Sequence, residues 1–479
     1  MGRLVRISLY ALLAGAVALA MVLAWLLGSE QGQRLWSEAT SRSPHEVIRH
    51  LKRRLQGHDR LEAMLLPALR LAQSRYEREP PAGPLPSLGK GQQPQALAPL
   101  VPGIVNTLAV ANPQEIEDAL LKAQAGTRIL IAPGLYPFQR TLRLGQDGAP
   151  GAPVVLSAAQ PGTVWLEFEQ EEGILVDRPH WVFENLNIRG ACQRANDCEH
   201  AFHVVGRAAF TTLRNNRVTD FNAHVKVNGF NDAWPDHGTL AFNTLTNQGP
   251  RETGRPVTPF DLVGASDWRV HDNLVTQFVK LDGNQISFGM FMKGGSENGR
   301  FERNLVICSL SGISLPGVRV GISFGGGGTD ASACRRGRCE AFEHRGGLAA
   351  NNIVAHCNDT GLDVNRSREI RLMHNTLVNT SGIGVRNAPA DAHLHANLYE
   401  GVALSRDGAR LSVSSDLAGP AHRYFANADG LIFDWLQKPD PIPSESFVTN
   451  DFSGSPRHAE TLPGAVEQFQ AGGTGRAAR

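Results

Sequence analysis

The sequence predicts an all-β solenoid, on three observations. A phrase of apolar residues, an asparagine and alternating apolar residues returns along the chain. Fifty glycines and 28 prolines stand against 7% aromatic residues, a balance that suits short strands and tight turns. The repeated unit shows strand alternation and turn residues but no helical period. The phrase appears as FENLNI at Asn185, LRNNRV at Asn216, LAFNTL at Asn243, VHDNLV at Asn273, FERNLV at Asn304, AANNIV at Asn352, LMHNTLV at Asn375 and LHANLY at Asn397. Successive asparagines lie 31, 27, 30, 31, 48, 23 and 22 residues apart. Periods of about 20 to 50 residues mark solenoids, and the spacing of 48 fits two coils or one coil with an insertion. The Leu-x-x-Leu-x-Leu frame of leucine-rich repeats is not seen. The asparagines themselves are expected to be structural, because Asn tolerates left-handed turns and stacked amides form ladders.

The elements follow in order. Arg3 and Arg6 precede an uncharged run from Ile7 to Leu27, whose 21 residues match the ~20 needed to span a bilayer. Residues 1–28 are therefore expected to be an uncleaved, single-pass inner-membrane anchor. The positive flank places the N-terminus in the cytoplasm and the rest in the periplasm. Residues 29–78 read as a polar helical stalk, which Pro67 should kink or end. Residues 79–103 are Pro-rich and read as a linker. Residues 104–425 form the solenoid, which opens on a short amphipathic helix with Ile116, Ala119, Leu120 and Ala123 on one face. That helix is expected to cap the open sheet end. Gly126 stops it, and RILIAPGLY follows as a buried strand and turn. Residues 426–479 are expected to be a C-terminal cap and tail.

The six cysteines agree with export. Cys192 and Cys198 lie close in sequence, as do Cys334 and Cys339, but neither pair has the spacing or histidine partners of a zinc site. Up to three disulfides in an oxidising compartment are expected. Cys308 lies four residues after Asn304 and Cys357 five after Asn352, so neighbouring coils should join them. Net charge is +1, which argues against a nucleic-acid partner.

Residues of equal phase stack into columns in a parallel solenoid. Counted back from the asparagines, Asp232, Asp261, Lys293, Glu340, Asp363 and Arg386 each lie 11 or 12 residues before the next one. Loop-length differences would absorb the one-residue variation. Such a groove of acids and bases suits an extended anionic or hydroxyl-rich polymer. Lys293 leaves an apolar strand at MFMKGG, where glycine permits close approach. It would act as a base if burial or nearby positive charge lowered its pKa. Glu343 and His344 in CEAFEHRGG lie near the same phase. Asp359 and Asp363 are paired carboxylates of the kind that hydrolyse glycosides. Trp234 in NDAWPDHG offers a sugar-stacking ring. Asp232, Trp234, Asp363 and Arg386 are the expected substrate contacts.

ALLKAQAGTRILIAPGLY followed by GAPGAPVVLSAAQPGTVWL resembles the opening of chondroitinase B and the alginate lyases of polysaccharide lyase family six, over roughly residues 105–420. The resemblance implies a right-handed parallel β-helix and β-elimination of a uronic acid polymer. In that family calcium neutralises the uronate, a lysine removes the C5 proton, and an arginine helps protonate the leaving oxygen. The lysine sits in a Lys-Ser-x-x-Asn segment, and MKGGSENGRFERN places Lys293 there. Arg319 or His344 would then assist, and Asp261, Glu343 or Asp363 would hold Ca2+. The family's Glu-x-Glu pair corresponds to Ile286 and Phe288 here, and VRVGISFGGGGTD stands where an Arg-His-Gly segment is expected. FMKGG and SFGGGGT resemble motifs of further β-helix relatives. The glycine run is not followed by the Lys-Ser or Lys-Thr of a phosphate loop. The expected protein is a membrane-anchored periplasmic lyase of an acidic polysaccharide. An epimerase, which shares the first proton abstraction, a glycoside hydrolase and a non-catalytic glycan-binding envelope scaffold are the alternatives.

Overall fold

The computed structural model describes Ile48, residues 51–52, Leu55, and residues 58–83, 88–97, 101–326, 329–330 and 332–467. The chain divides into two units, Met1–Leu69 and Arg70–Arg479. The expected anchor lies outside the described residues. Among the described residues no helix is long and apolar enough to cross a membrane. A helix, Asp59–Tyr76, contains Pro67 rather than ending at it.

The second unit is built from parallel strands. Each coil gives one short strand to each of three sheets: a first sheet of twelve strands, a second of eleven and a third of ten. The pattern matches a right-handed parallel β-helix, the hand that parallel crossovers take. Inward positions are apolar and stack in register. In the first sheet Leu213, Leu240, Val270, Phe301, Ala349, Leu372 and Leu394 form one column. Ring pairs continue along the interior, with Phe183 and Phe202 at 5.3 Å and Phe301 and Phe324 at 5.3 Å.

The asparagines sit at the corner between the first and second sheets. Each amide oxygen accepts from the neighbouring coil, as when Asn273 Nδ2 donates to Asn304 Oδ1 at 2.9 Å and Asn304 Nδ2 to Asn352 Oδ1 at 3.0 Å. The left-handed residue is the one before the asparagine, for example Asp272 (φ 57°), Arg303 (φ 53°) and Asn351 (φ 56°). The ladder starts at Asn216, because Leu186 occupies the preceding rung and its N–H donates to Asn216 Oδ1 at 3.0 Å. Asn185 is thus one residue out of phase, in the left-handed position (φ 64°). At the other end Asp416 receives Asn397 Nδ2 at 3.1 Å. The spacing of 48 is one coil with an insertion, since Leu305–Ile307 pairs directly with Ile353–Ala355.

Three disulfides form: Cys308–Cys357, joining neighbouring coils as expected, and the local pairs Cys192–Cys198 and Cys334–Cys339. Helix Pro113–Lys122 is capped by Asn112 and buries Ile116, Ala119 and Leu120. The flanking segments lie along the outside of the solenoid. Lys90 Nζ meets Asp272 at 2.6 Å and the Gln93 N–H meets Asn215 Oδ1 at 2.6 Å, so this part of the Pro-rich stretch is not free chain. Tyr424, Phe425, Phe433 and Phe452 pack on Leu305, Ile307, Ile353, Ala355, Val378 and Leu398. These second-sheet strands are buried on both faces, which is why they read as continuous apolar runs.

Candidate functional site

The site residues gather on the outer face of the third sheet. Strand alternation turns Phe260, Leu262, Met290 and Met292 inward, leaving Asp261 and Lys293 to face out. Register places His203, Lys226, Asp261, Phe291, Ser323 and Asp363 in one outward column. Asn228, Val263 and Lys293 lie two residues further along, as do Asn365 and Arg386 beside Asp363. The sequence count put Asp261 and Lys293 in one column. They are in fact two residues apart, and a two-residue shift keeps the face.

Lys293 ends strand Ile286–Lys293 and is half-buried. Its Nζ lies 4.9 Å from the Phe291 ring centre. Burial lowers its pKa, Asp261 and Glu343 act to raise it, and Lys226 to lower it. Gly294 follows at φ 80°, where a Cβ would strike Val263 at 2.6 Å. The glycine pair turns the chain under a strap, residues 329–330 and 332–343, that the insertion in this coil supplies. Arg335 pins the strap, pairing with Asp236 at 2.7 and 2.9 Å and donating to the Gly264 carbonyl at 3.1 Å. Glu343 returns from the strap to accept from the Gly294 N–H at 3.0 Å and the Thr329 hydroxyl at 2.6 Å. Gly326 closes over the lysine stem, since a Cβ there would lie 3.0 Å from Lys293 Cδ.

Ion pairs flank the lysine. Lys226 Nζ holds Asp261 at 2.8 Å. Arg386 holds both oxygens of Asp363 at 2.9 and 3.0 Å, and the Ser323 hydroxyl adds a bond at 3.0 Å.

Other expected residues lie elsewhere. Arg319 is fully buried, and its guanidinium donates to the carbonyls of Ile313, Pro316 and Leu315 at 2.5, 3.2 and 2.9 Å. It pairs in register with Ser287, six residues before Lys293 on that strand, or roughly 20 Å away. His344 is also fully buried, bonded to the Ser296 hydroxyl at 2.7 Å and stacked on Phe324 at 4.9 Å. Burial pushes its pKa down to about 3. Both are held by the fold and face away from the lysine. Asp232 is exposed in a left-handed turn (φ 55°), and Glu340 is exposed in the strap, so neither joins the column. The Arg335 guanidinium lies 5.1 Å from the Trp234 ring and covers one face of it. Asp359 receives the N–H of Thr360 at 2.6 Å in the turn that leads into the strand Leu362–Asn365, which carries Asp363.

The expected calcium ligands do not fit calcium. Such an ion takes about six to eight oxygens. Asp261 and Glu343 already receive donors, and both stand beside the Lys293 ammonium.

Two features had no sequence signal. Lys226 comes from a coil whose phase is blurred by loop length. Glu172, His200 and His203 come from two strands, and their ligand atoms all lie within 4.8 Å of one another.

No family model and no curated protein matches the chain. Among solved structures it is similar to pectate lyase Pel9A, at 13% identity and TM-score 0.55, covering 80% of this chain and 98% of that one. It is also similar to a rhamnogalacturonan lyase (13%, TM-score 0.44, 77% and 97%) and to an alginate lyase from Paenibacillus sp. str. FPU-7 (12%, TM-score 0.38, 66% and 96%). At these identities the first likeness shows the fold.

Proposed function

We propose that this chain is an enzyme that cleaves a uronic acid polysaccharide by β-elimination, with Lys293 as the base. One observation carries the reading: a lysine on the outer face of a long parallel sheet, its pKa lowered by burial, set among Asp261, Glu343 and Lys226. Perturbed groups in such a setting are candidates for proton transfer. The neutral amine takes the C5 proton. The freed electron pair forms the C4–C5 double bond as the C4–O bond breaks, and the leaving oxygen takes a proton from solvent. The uronate competes with Asp261 and Asp363 for Lys226 and Arg386, which acidifies the C5 proton in the way a cation would. Calcium has no part in this step. The name of pectate lyase Pel9A agrees with an acidic polymer without carrying the argument.

The proposed location is the periplasmic side of the inner membrane. The apolar run 7–27 and the three disulfides support it. A second reading, a glycan-binding scaffold, is favoured by the burial of Arg319 and His344 away from the lysine.

The test uses the full chain purified in detergent, incubated with pectate, alginate and chondroitin, with and without calcium. Unsaturated uronate is followed by absorbance. We expect a rise that falls by at least ~10²-fold in Lys293→Ala. A rise unaffected by the substitution would remove Lys293 from the reaction. Polymer binding without product would leave the scaffold. New reducing ends without absorbance would identify a hydrolase, and inverted C5 centres in the polymer an epimerase.

A further inference from the structure

The geometry points to a transition-metal site formed by Glu172, His200 and His203, at one end of the same outer face. The site does not depend on the proposed lyase reaction. Strands Glu172–Val176 and His200–Val205 are neighbours in the third sheet, and Glu172 and His200 pair in register. The two imidazoles stand 5.0 Å apart at 60°.

The hydrogen-bond arithmetic of His203 carries the inference. Its Nε2 lies 2.8 Å from Asn228 Oδ1. The Asn228 amide is oriented, because its Nδ2 donates to the Gly229 carbonyl at 3.0 Å. Nε2 is therefore the donor to Asn228. Nδ1 lies 2.5 Å from Glu172 Oε1, which also accepts. That edge has to hold a cation, either a second proton or a metal. A metal matches the third member: His200 brings a ring nitrogen into the cluster, and its buried Nδ1 has no hydrogen-bond partner among the described residues. The Asn228 contact is then the outer hydrogen bond that fixes a ligating histidine.

Two histidines and one carboxylate suit zinc, with a fourth position open to water or a substrate oxygen. Zinc bonds to N and O run about 2.0–2.2 Å, so two donors on one ion stand no more than about 4 Å apart. Side-chain rotation of under about an ångström closes the cluster from its widest separation. Lys226 is the next residue in the column, and its ammonium is held by Asp261. With that ammonium beside the site, an anionic or hydroxyl ligand suits the open position.

The test is zinc titration of the full, untagged chain after chelator treatment, read by calorimetry, with Co2+ absorption as the reporter of a four-coordinate site. One equivalent should bind at micromolar Kd or tighter. His200→Gln and Glu172→Gln should each weaken it by 100-fold or more, with thermal melts confirming folding. Asn228→Ala should weaken it by roughly 10–100-fold through the outer bond alone. Millimolar calcium should not compete, because imidazole is a poor ligand for it. No zinc binding by the wild-type chain, or binding unchanged in the folded His200→Gln and Glu172→Gln variants, would overturn the site. The cation at His203 would then be a proton.

Discussion

Lys293 is the proposed base, and its surroundings set how readily it gives up its proton. Burial disfavours its ammonium, and the neighbouring charges pull in opposite senses: Asp261 and Glu343 raise the pKa, Lys226 lowers it. A base works when deprotonated, so kcat/KM should rise with pH, with a midpoint below the ordinary lysine value of 10.5. Asp261→Asn removes a raising charge and should move that limb to lower pH. Lys226→Met removes a lowering charge and should move it to higher pH. Profiles of the three proteins decide the matter: two shifts of the same sign would mean that these charges do not set the base. The lysine was legible because a charge beside two glycines interrupts an apolar run. Arg319 was not, because a guanidinium folded back onto the carbonyls of Ile313, Leu315 and Pro316 looks the same in one dimension as one that faces solvent.

Among the elements, the asparagine ladder is the part the sequence declared most openly, since side chains stacked at one corner must recur at the coil period. Its ends were less legible. At Asn185 two adjacent asparagine-compatible positions allow a one-residue slip, and at the far end the rung is filled by an aspartate 19 residues on from Asn397. Asp416 accepts the Asn397 N–H at 2.8 Å with one oxygen, while its other oxygen is buried without a hydrogen-bond partner among the described residues. Burial lifts its carboxyl from 3.8 to about 7. The folded chain therefore binds this proton more tightly than the unfolded one. The group's contribution to stability is whole below the ordinary carboxyl range and is lost as pH rises towards 7. Asp416→Asn supplies the amide that the other rungs carry. It should raise the melting temperature at pH 8 by about 2–4 °C, the shift of ~1 kcal/mol in a domain of a few hundred residues, and leave it unchanged at pH 4. A gain of equal size at both pH values would mean that ionisation is not the cost.

The second unit is a solenoid whose coils mainly touch their neighbours, so its stability should be close to a sum of adjacent contacts. That period was visible in the sequence. Less visible was that the segments before and after the coils are laid along their outside, although the buried runs Leu305–Ile307 and Ile353–Ala355 signal a second covered face. The two segments meet over one rung. Lys90 Nζ pairs with the buried Asp272 at 2.6 Å and lies 4.5 Å from the ring centre of Phe452, a residue of the C-terminal segment. Arg78 makes a similar tie, to Glu400 and Asp429 at 2.7 Å each. Breaking a buried ion pair outright costs about 3–5 kcal/mol. Asp272 keeps Arg303 and His271, each at 2.7 Å, so Lys90→Ala should cost less, about 2 kcal/mol. Because nearest-neighbour contacts between coils survive, a chain starting at residue 104 should still fold into the three sheets. It should melt below the Lys90→Ala chain, having also lost the Arg78 ties, and proteases should open its C-terminal segment first. Melting of the shortened chain at the wild-type temperature would show that the outer segments lie on the solenoid without holding it.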